Sequence, residues 1–394
     1  MANVRTCTKD DAAYVQTMTS PYSRTNPFPA KMVVNRRLNE GNRNKETRHH
    51  EISLAGSRLT FEPGDSMAVY ATNDPPLVEE IIRALGATGD EIVPAGKNET
   101  APLRQALLRN YTITTPTPKF LKAIVERASA APLLKELLLQ PDHKHDLQVY
   151  LWGMEIIDFL LQHPSAKFNP VEFVSLLTKL QPRLYSVASS LRVHPDSVHL
   201  IVDVIRYESH GRQRKGVAST FLAERCNDQP VPVFPSVAKH FHLPEGNADI
   251  IMVGPGTGIA PFRAFLQERR ALGTGGRNWL FFGAQHEQYD YSYGEEFEEL
   301  KKQNFLTHLH CAFSRDKEHK VYVQHRMQEN AAELWRWLDA GAYFYVCGDA
   351  LKMAKDVDAA LRAIVQEQGG KSPEEAQAYV EQMKAEKRYK RDVY

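Results

Sequence analysis

The stretch Ile250-Ile-Met-Val-Gly254-Pro-Gly256-Thr257-Gly258-Ile-Ala-Pro261 decides the fold of the second half of this 394-residue chain. Its first four residues are apolar and read as a short buried strand. A glycine-rich turn follows, and Pro261 suits the first turn of a helix over 261–272. Glycines in such a turn let the backbone come close to a pyrophosphate, and the helix start offers free N–H groups to anionic oxygen. The same letters also describe a tight strand-to-helix turn with no ligand. Working outward, a strand pattern over 279–282 leads to a helical pattern over 293–303, and a strand over 306–313 follows. A strand over 342–347 then leads to a helix over 351–366. This alternation predicts an α/β, doubly wound parallel sheet.

Upstream the texture differs. Residues 31–35 and 50–54 read as strands around a polar, Asn/Arg-rich loop, and Pro63-Gly-Asp65 is a turn before a strand over 66–70. Helical spacing dominates 76–85, 118–139, 147–161 and 171–180, with few strand signals between 76 and 180. Strands return over 184–187 and 198–207. A polar, basic loop spans 208–215, a short helix opens at 216–222, and a strand over 231–234 closes the region. The expected architecture is α+β and multidomain. It comprises an arm or linker over 1–20, an antiparallel β-barrel over 21–75 and 181–245, a helical insertion over 76–180, and the doubly wound domain over 246–394.

Composition excludes several function classes. Apolar residues make up 42% and charged residues 25%, as in globular proteins. Lys and Arg number 49 against 48 Asp and Glu, so no global field draws the chain to nucleic acid. No apolar run approaches the roughly 20 residues of a spanning helix, and the polar N-terminus has no signal-peptide core. The four cysteines, Cys7, Cys226, Cys311 and Cys347, form no CxxC pair. That pattern fits the cytoplasm and gives no zinc ribbon or dithiol motif, so no metal site is expected. If the chain handles electrons, something other than its own sulfur carries them.

The third glycine of the turn, Gly258, comes one place earlier than in G-x-G-x-x-G. The next strand is followed by Gly283-Ala-Gln-His286, without the acidic residue that holds an adenosine ribose 2′-OH. An NAD-type site is therefore disfavoured. Further on, Ser314-Arg315 and Lys320-Val321-Tyr322-Val323-Gln324 put two cations beside a hydroxyl and a phenol, a set suited to a ribose 2′-phosphate. Taken singly, each cation reads as part of a solvated loop.

A second constellation is Pro182-Arg183-Leu184-Tyr185-Ser186 followed by Gly216-Val217-Ala218-Ser219. An aromatic ring beside a hydroxyl and a guanidinium can stack on a flavin, hydrogen-bond its N5 and pair a phosphate. Small residues at a helix start let backbone N–H groups reach a pyrophosphate. With Ser20-Pro-Tyr-Ser23, Pro63-Gly-Asp65, Trp279-Leu-Phe-Phe-Gly283, Tyr345-Val-Cys-Gly-Asp349 and the closing Arg388-Tyr-Lys-Arg-Asp-Val-Tyr394, these segments fall in one family's order across nearly the whole chain. The sequence resembles the ferredoxin–NADP reductase superfamily, in its diflavin-reductase branch, and within that branch the flavoprotein subunits of NADPH–sulfite reductase.

The resemblance implies an FAD-dependent NADPH oxidoreductase of cysteine biosynthesis. Arg183, Leu184, Tyr185 and Ser186 would hold FAD, with Ile201, Val202, Asp203 and Tyr207 alongside, Gly216 to Ser219 at the pyrophosphate, and Thr115 as a further contact. Gly254, Gly256, Thr257 and Gly258 would take the NADP(H) pyrophosphate. Ser314, Arg315, Lys320, Val321, Tyr322, Val323, Gln324 and Asp356 would take its adenosine end. Ser186, Cys347 and Asp392 match the hydride-transfer set. Cys347 read alone is an ordinary buried small residue. Tyr394 would stack on the flavin and be displaced by nicotinamide, favouring NADPH over NADH.

The branch also carries an FMN domain before the barrel, for which residues 1–20 leave no room. The expectation is a separate acceptor: a flavodoxin, a ferredoxin or the sulfite reductase haemoprotein, meeting the chain at the helical insertion. Alternatively the chain is a piece of a longer polypeptide and 1–20 is a linker. Competing readings are a general flavodoxin, ferredoxin or P450-type reductase, and a non-catalytic nucleotide-sensing electron-transfer module.

Overall fold

A computed structural model describes residues 20–41, 45–139, 144–227 and 229–394. The arm, apart from Ser20, and Cys7 lie outside the described residues. The described residues open with three strands, β1 (Phe28–Arg37), β2 (Thr47–Ser53) and β3 (Ser66–Val69). It then runs through a helical stretch holding the small hairpin β4 (Ile92–Gly96) and β5 (Glu99–Pro102). Strands β6 (Arg183–Ser186) and β7 (Ser197–Asp203) follow, then a second hairpin of β8 (Arg206–Ser209) and β9 (Arg212–Lys215), then β10 (Val231–Ser236). Six of these form one antiparallel sheet in the order β6-β3-β10-β1-β2-β7. Its two ends meet: the Ala188 amide, just past β6, donates to the His199 carbonyl on β7 at 2.8 Å, which closes the sheet into the expected barrel. Side chains alternate on β10, where Val231 and Val233 are fully buried against Met67 and Leu200.

The helical stretch has its own core, centred on Phe120, Phe159 and Phe173, all inaccessible to solvent. Its helices start where the sequence supplies caps. The Thr117 and Asn169 side chains accept from the amides of Phe120 and Glu172 at 3.0 and 2.9 Å. The long helical patterns break into shorter pieces for local reasons. The pattern over 118–139 becomes Pro118–Arg127 and Pro132–Leu139, because Ala128 turns extended and a residue before proline resists the α conformation. The pattern over 147–161 becomes Lys144–Leu151 and Ile156–Gln162, with Gly153 at φ +74° between them. The pattern over 171–180 ends in the helix Pro170–Ser175.

Two hairpins replace expected helix or loop. In β4–β5 the two-residue turn Lys97-Asn98 has Asn98 at φ +63°. In β8–β9 both turn residues, His210 and Gly211, take positive φ, the geometry that matches strand twist. The second hairpin is fastened to the insertion by buried charge. Arg214, with a side chain 1% exposed, donates to Glu155 at 3.2 Å and to Asp158 at 2.7 Å. Its neighbour Arg212 pairs with Glu80. Burial pushes Glu155 up to about 7 despite the opposing pull of Arg214.

Beyond residue 249 five parallel strands form the second sheet, β11 (Ile250–Pro255), β12 (Asn278–Ala284), β13 (His308–Phe313), β14 (Tyr343–Gly348) and β15 (Tyr389–Val393), ordered β13-β12-β11-β14-β15. One face buries Trp279, Phe281 and Trp337, and the other buries Phe262, Phe265 and Tyr345. Helices Ala260–Leu272, Gly294–Lys302 and Met353–Gly369 answer the expected ones. Helices Val323–Glu329, Ala331–Asp339 and Pro373–Ala385, together with β15, add to them. Strand order reverses between β11 and β14, and in such sheets that point opens a crevice at the carboxyl ends of the strands. No helix among the described residues is long and apolar enough to cross a membrane.

Candidate active site

A cleft of about 780 Å³ lies where the barrel meets the crevice of the parallel sheet, within the size range of small-molecule sites. Both units line it. The barrel contributes Arg183 to Ser186, Ile201 to Asp203 and Gly216 to Ser219, and the parallel sheet contributes Thr257, Ala260, Asp392 and Tyr394.

On the barrel side, β6 pairs with β3 so that Ser186 stands opposite Ser66 and Tyr185 opposite Met67. Tyr185 and Ser186 are half-buried, while Arg183 and Leu184 are exposed. Burial raises the Tyr185 phenol above its ordinary value, so it stays protonated. Gly216 opens the helix Val217–Thr220 at a point with no room for a side chain: a Cβ there would lie 2.7 Å from Ser219 Oγ and 2.8 Å from Ile205 Cβ. The first amides of that turn have no intrahelical acceptor. The Ser219 hydroxyl is already engaged by the Ile205 amide at 3.1 Å, which leaves the Ser219 backbone for a ligand. A guanidinium, a ring, a hydroxyl and a run of orphan amides along one cleft are a donor set that fits FAD. Tyr207, on β8 and 46% exposed, and Thr115, in the loop before the helix Pro118–Arg127, do not line the cleft.

On the other side, the turn after β11 is a 3₁₀ segment, Gly256–Ile259, leading into the helix Ala260–Leu272. Gly256 takes φ +59°. Gly258 packs directly on the end of β14, where a Cβ would meet the Cys347 carbonyl oxygen at 2.2 Å. Only glycine permits that approach, and it brings the turn against the carboxyl end of β14, where the strand order reverses.

The two halves converge on one carboxylate. Parallel pairing of β14 with β15 sets Asp392 opposite Cys347. Ser186, from the barrel, donates to Asp392 Oδ2 at 2.7 Å, and Cys347 Sγ approaches the same oxygen at 3.9 Å. Burial first, then the Asp392 carboxylate, holds the Cys347 thiol well above its ordinary value, so it remains neutral; fully buried, it lies behind Asp392 and does not itself line the cleft. Tyr394, 59% exposed, sets its hydroxyl 3.0 Å from Thr257 Oγ1 of the glycine-rich turn.

The residues expected at the adenosine end of NADP(H) follow β13. The Ser314 hydroxyl donates to the Ala284 carbonyl at 3.3 Å and the Arg315 amide to the Gln285 carbonyl at 2.9 Å, which fixes the loop beside β12. Arg315 and Lys320 are exposed and have no ion-pair partner among the described residues. Tyr322 is 43% exposed, and Gln324 donates to Asp356 at 3.3 Å. Val321 and Val323 turn into the core instead, 6% and 2% exposed, and space the polar residues between them. Lys45 was not anticipated. It pairs with Asp203 at 3.1 Å, and its Nζ lies 3.9 Å from where a Cβ on Gly256 would be, so it reaches the glycine-rich turn from the barrel side. Its only signal was a basic loop between two strands.

The family described as FAD binding domain matches residues 20–221, and the one described as Oxidoreductase NAD-binding domain matches residues 252–359. Among curated relatives, the sulfite reductase [NADPH] flavoprotein alpha-component of Bacillus subtilis (strain 168) is 46% identical over 97% of this chain and 64% of its own length. The proteins of the same name from Vibrio cholerae (strain El Tor Inaba N16961) and Serratia proteamaculans (strain 568) are 42% and 43% identical, over 97% and 95% of this chain and 62% of each relative. The chain thus spans a little under two thirds of the length of the relatives it matches. By sequence match, the chain belongs to the FAD binding domain family, joined here to an oxidoreductase NAD-binding domain.

Proposed function

We propose that this chain moves a hydride from NADPH to FAD across the cleft and hands the electrons to a separate acceptor. When bound, the two nucleotides supply the hydride donor and the hydride acceptor. The chain's residues bind, orient and balance charge. Arg183 and the amides of residues 217–219 take the flavin pyrophosphate. Tyr185 would pack along the flavin ring, and the Ser186 hydroxyl, also in the cleft lining, would face it. The carboxylate of Asp392 would offset positive charge on the nicotinamide, and the neutral, buried Cys347 thiol would back that carboxylate from behind. Arg315 and Lys320 select the 2′-phosphate.

The observation that carries this reading is the convergence of Ser186, from the barrel, and Cys347, from the parallel sheet, on one oxygen of Asp392. Groups on two separate units are aimed at one point, which is what hydride transfer between two bound nucleotides needs. Among acceptors, the relatives, named as sulfite reductase flavoproteins, favour the haemoprotein of a sulfite reductase, with a place in cysteine biosynthesis, over a free flavodoxin or ferredoxin. Buried free thiols at Cys226 and Cys347 suit the reducing cytoplasm. The test is anaerobic. Flavin bound to the purified protein should bleach with NADPH and much less with NADH. A protein that takes up no FAD, or whose flavin neither nucleotide bleaches, would overturn the proposal.

A further inference from the structure

The helix that begins at the glycine-rich turn also grips the barrel. Arg263, one turn into Ala260–Leu272, is 9% exposed and spends its guanidinium across the boundary. Its Nη1 donates to the Ala188 carbonyl at 2.8 Å and lies 3.3 Å from His199 Nδ1 on β7. Its Nε donates to Glu296 at 2.8 Å, and the group sits 4.6 Å above the Tyr293 ring. The Tyr293 hydroxyl in turn lies 2.7 Å from His49 Nδ1 on β2, and His49 Nε2 lies 3.0 Å from Glu51. One and a third turns along the helix, Gln267 accepts from the Ser190 amide at 3.0 Å, and Glu268 accepts from Arg192 at 2.7 Å. Ala188 and Ile201 of the barrel share a buried cluster with Phe262 and Phe265 of the same helix. Ala188 is two residues from Ser186, and Arg263 is five residues from Gly258.

His49, Glu51 and His199 bring their ligand atoms within 4.8 Å of one another, a spacing open to a divalent cation. The hydrogen bonds assign them otherwise. Arg263 donates into His199 Nδ1, which leaves the proton of the neutral ring on Nε2, the nitrogen a cation would need. Burial, then His194, Arg263 and His49, pushes His199 down to about 2, so it stays neutral and keeps accepting from Arg263.

We propose that Arg263 is a positioning residue for hydride transfer: it fixes the flavin-bearing strand β6 against the glycine-rich turn and so sets the separation of the two reacting atoms. Arginine suits this task because its planar fork reaches the Ala188 carbonyl, His199 and Glu296 at once, which a lysine ammonium cannot do. The inference rests on the hydride-transfer reading above, and its test separates the two.

Arg263→Met, Arg263→Lys and a surface control, Arg192→Met, are compared with the unaltered chain. Arg192 ties the same helix to the same segment, but with a side chain 58% exposed. Four readouts are taken: bound flavin per chain, the Kd for 2′,5′-ADP, the rate of flavin bleaching at saturating NADPH, and amide exchange of residues 188–192 without nucleotide. For both Arg263 variants the expected result is normal flavin content, an unchanged Kd, bleaching slowed on the order of 10–100-fold, and faster exchange at 188–192. Arg192→Met should stay close to the unaltered rate. Bleaching at the unaltered rate in Arg263→Met overturns the proposal, and so does a slowing explained by lost flavin or weaker 2′,5′-ADP binding. If Arg263→Met does not fold, Arg263→Lys decides by the same criteria. If the unaltered chain itself is not bleached by NADPH, the hydride-transfer reading fails. Amide exchange then judges the clamp alone, and unchanged exchange overturns it.

Discussion

Gly258→Ala offers a sharp test of the site, because the added methyl has one obstacle that cannot move aside. A Cβ at 258 would stand 2.2 Å from the Cys347 carbonyl oxygen and 2.8 Å from its carbon, where ordinary contact begins near 3.4 Å. The obstacle is the backbone of a central strand, hydrogen-bonded on both sides to β11 and β15. The turn itself must therefore lift by about 1 Å. Overpacking of that kind costs about 1–3 kcal/mol of stability. A 1 Å error in a hydride path costs on the order of 100-fold in rate. The companion Gly256→Ala separates clash from strain. Gly256 sits at φ +59°, but its nearest foreign atom would be Lys45 Nζ at 3.9 Å, at the end of a flexible chain. That variant should lose about 1–2 kcal/mol to left-handed backbone and keep a rate close to the unaltered protein. The assay is anaerobic stopped-flow bleaching of bound flavin by saturating NADPH, with a thermal melt for each variant. If Gly258→Ala transfers hydride at the unaltered rate while remaining folded, the contact between the turn and the end of β14 does not set the reacting geometry.

Three further outcomes are expected. Asp392→Asn keeps shape and removes charge, so bleaching should slow by about 10-fold or more while flavin content holds; an unchanged rate would remove Asp392 from the charge-balancing role. Arg315→Ala with Lys320→Ala should raise the KM for NADPH, leave that for NADH nearly alone, and flatten the salt dependence of NADPH binding; equal effects on both nucleotides would argue against a 2′-phosphate site. Stability should fall on acidification below neutrality. Burial pushes His50 down to about 3 and His199 down to about 2, against 6.5 in the unfolded chain. The unfolded state therefore takes up protons that the folded state refuses. The stabilisation is complete above pH 6.5, and at pH 5 each ring has given up about 2 kcal/mol; Glu155, raised to about 7 in the fold, gains back about as much as one ring loses, so the net change is a fall. A melting temperature that is flat between pH 7 and pH 5 would contradict this.

What could be read from sequence were features written into contiguous residues. The glycine-rich turn announced itself because Gly256 needs left-handed backbone and Gly258 needs space, and both demands fall within five positions. The Arg183 to Ser186 and Gly216 to Ser219 segments were legible for the same reason. The hairpins were not. The alternation in β4–β5 lasts only a few residues inside a helical context, and His210-Gly211 joins strands made almost wholly of polar residues. Lys45 and Arg263 were missed because each acts across a boundary. Their partners Asp203 and Ala188 are far away in sequence, and no local pattern marks a residue whose role is to meet another unit.

The Arg214 ion pairs bear on how such a chain can be recombined or can diverge. The hairpin β8–β9 runs directly into Gly216 at the proposed flavin pyrophosphate turn, yet its buried cation is neutralised by Glu155 and Asp158 of the helical stretch. The two segments are therefore a single unit of inheritance, although Arg214 lies 56 and 59 positions from its partners. A chimera that exchanges the helical stretch without supplying those carboxylates leaves a buried guanidinium uncompensated, at a cost of about 3–5 kcal/mol. Grafts that move hairpin and helices together escape that cost, so viable crossovers should fall outside the pair and not between its members.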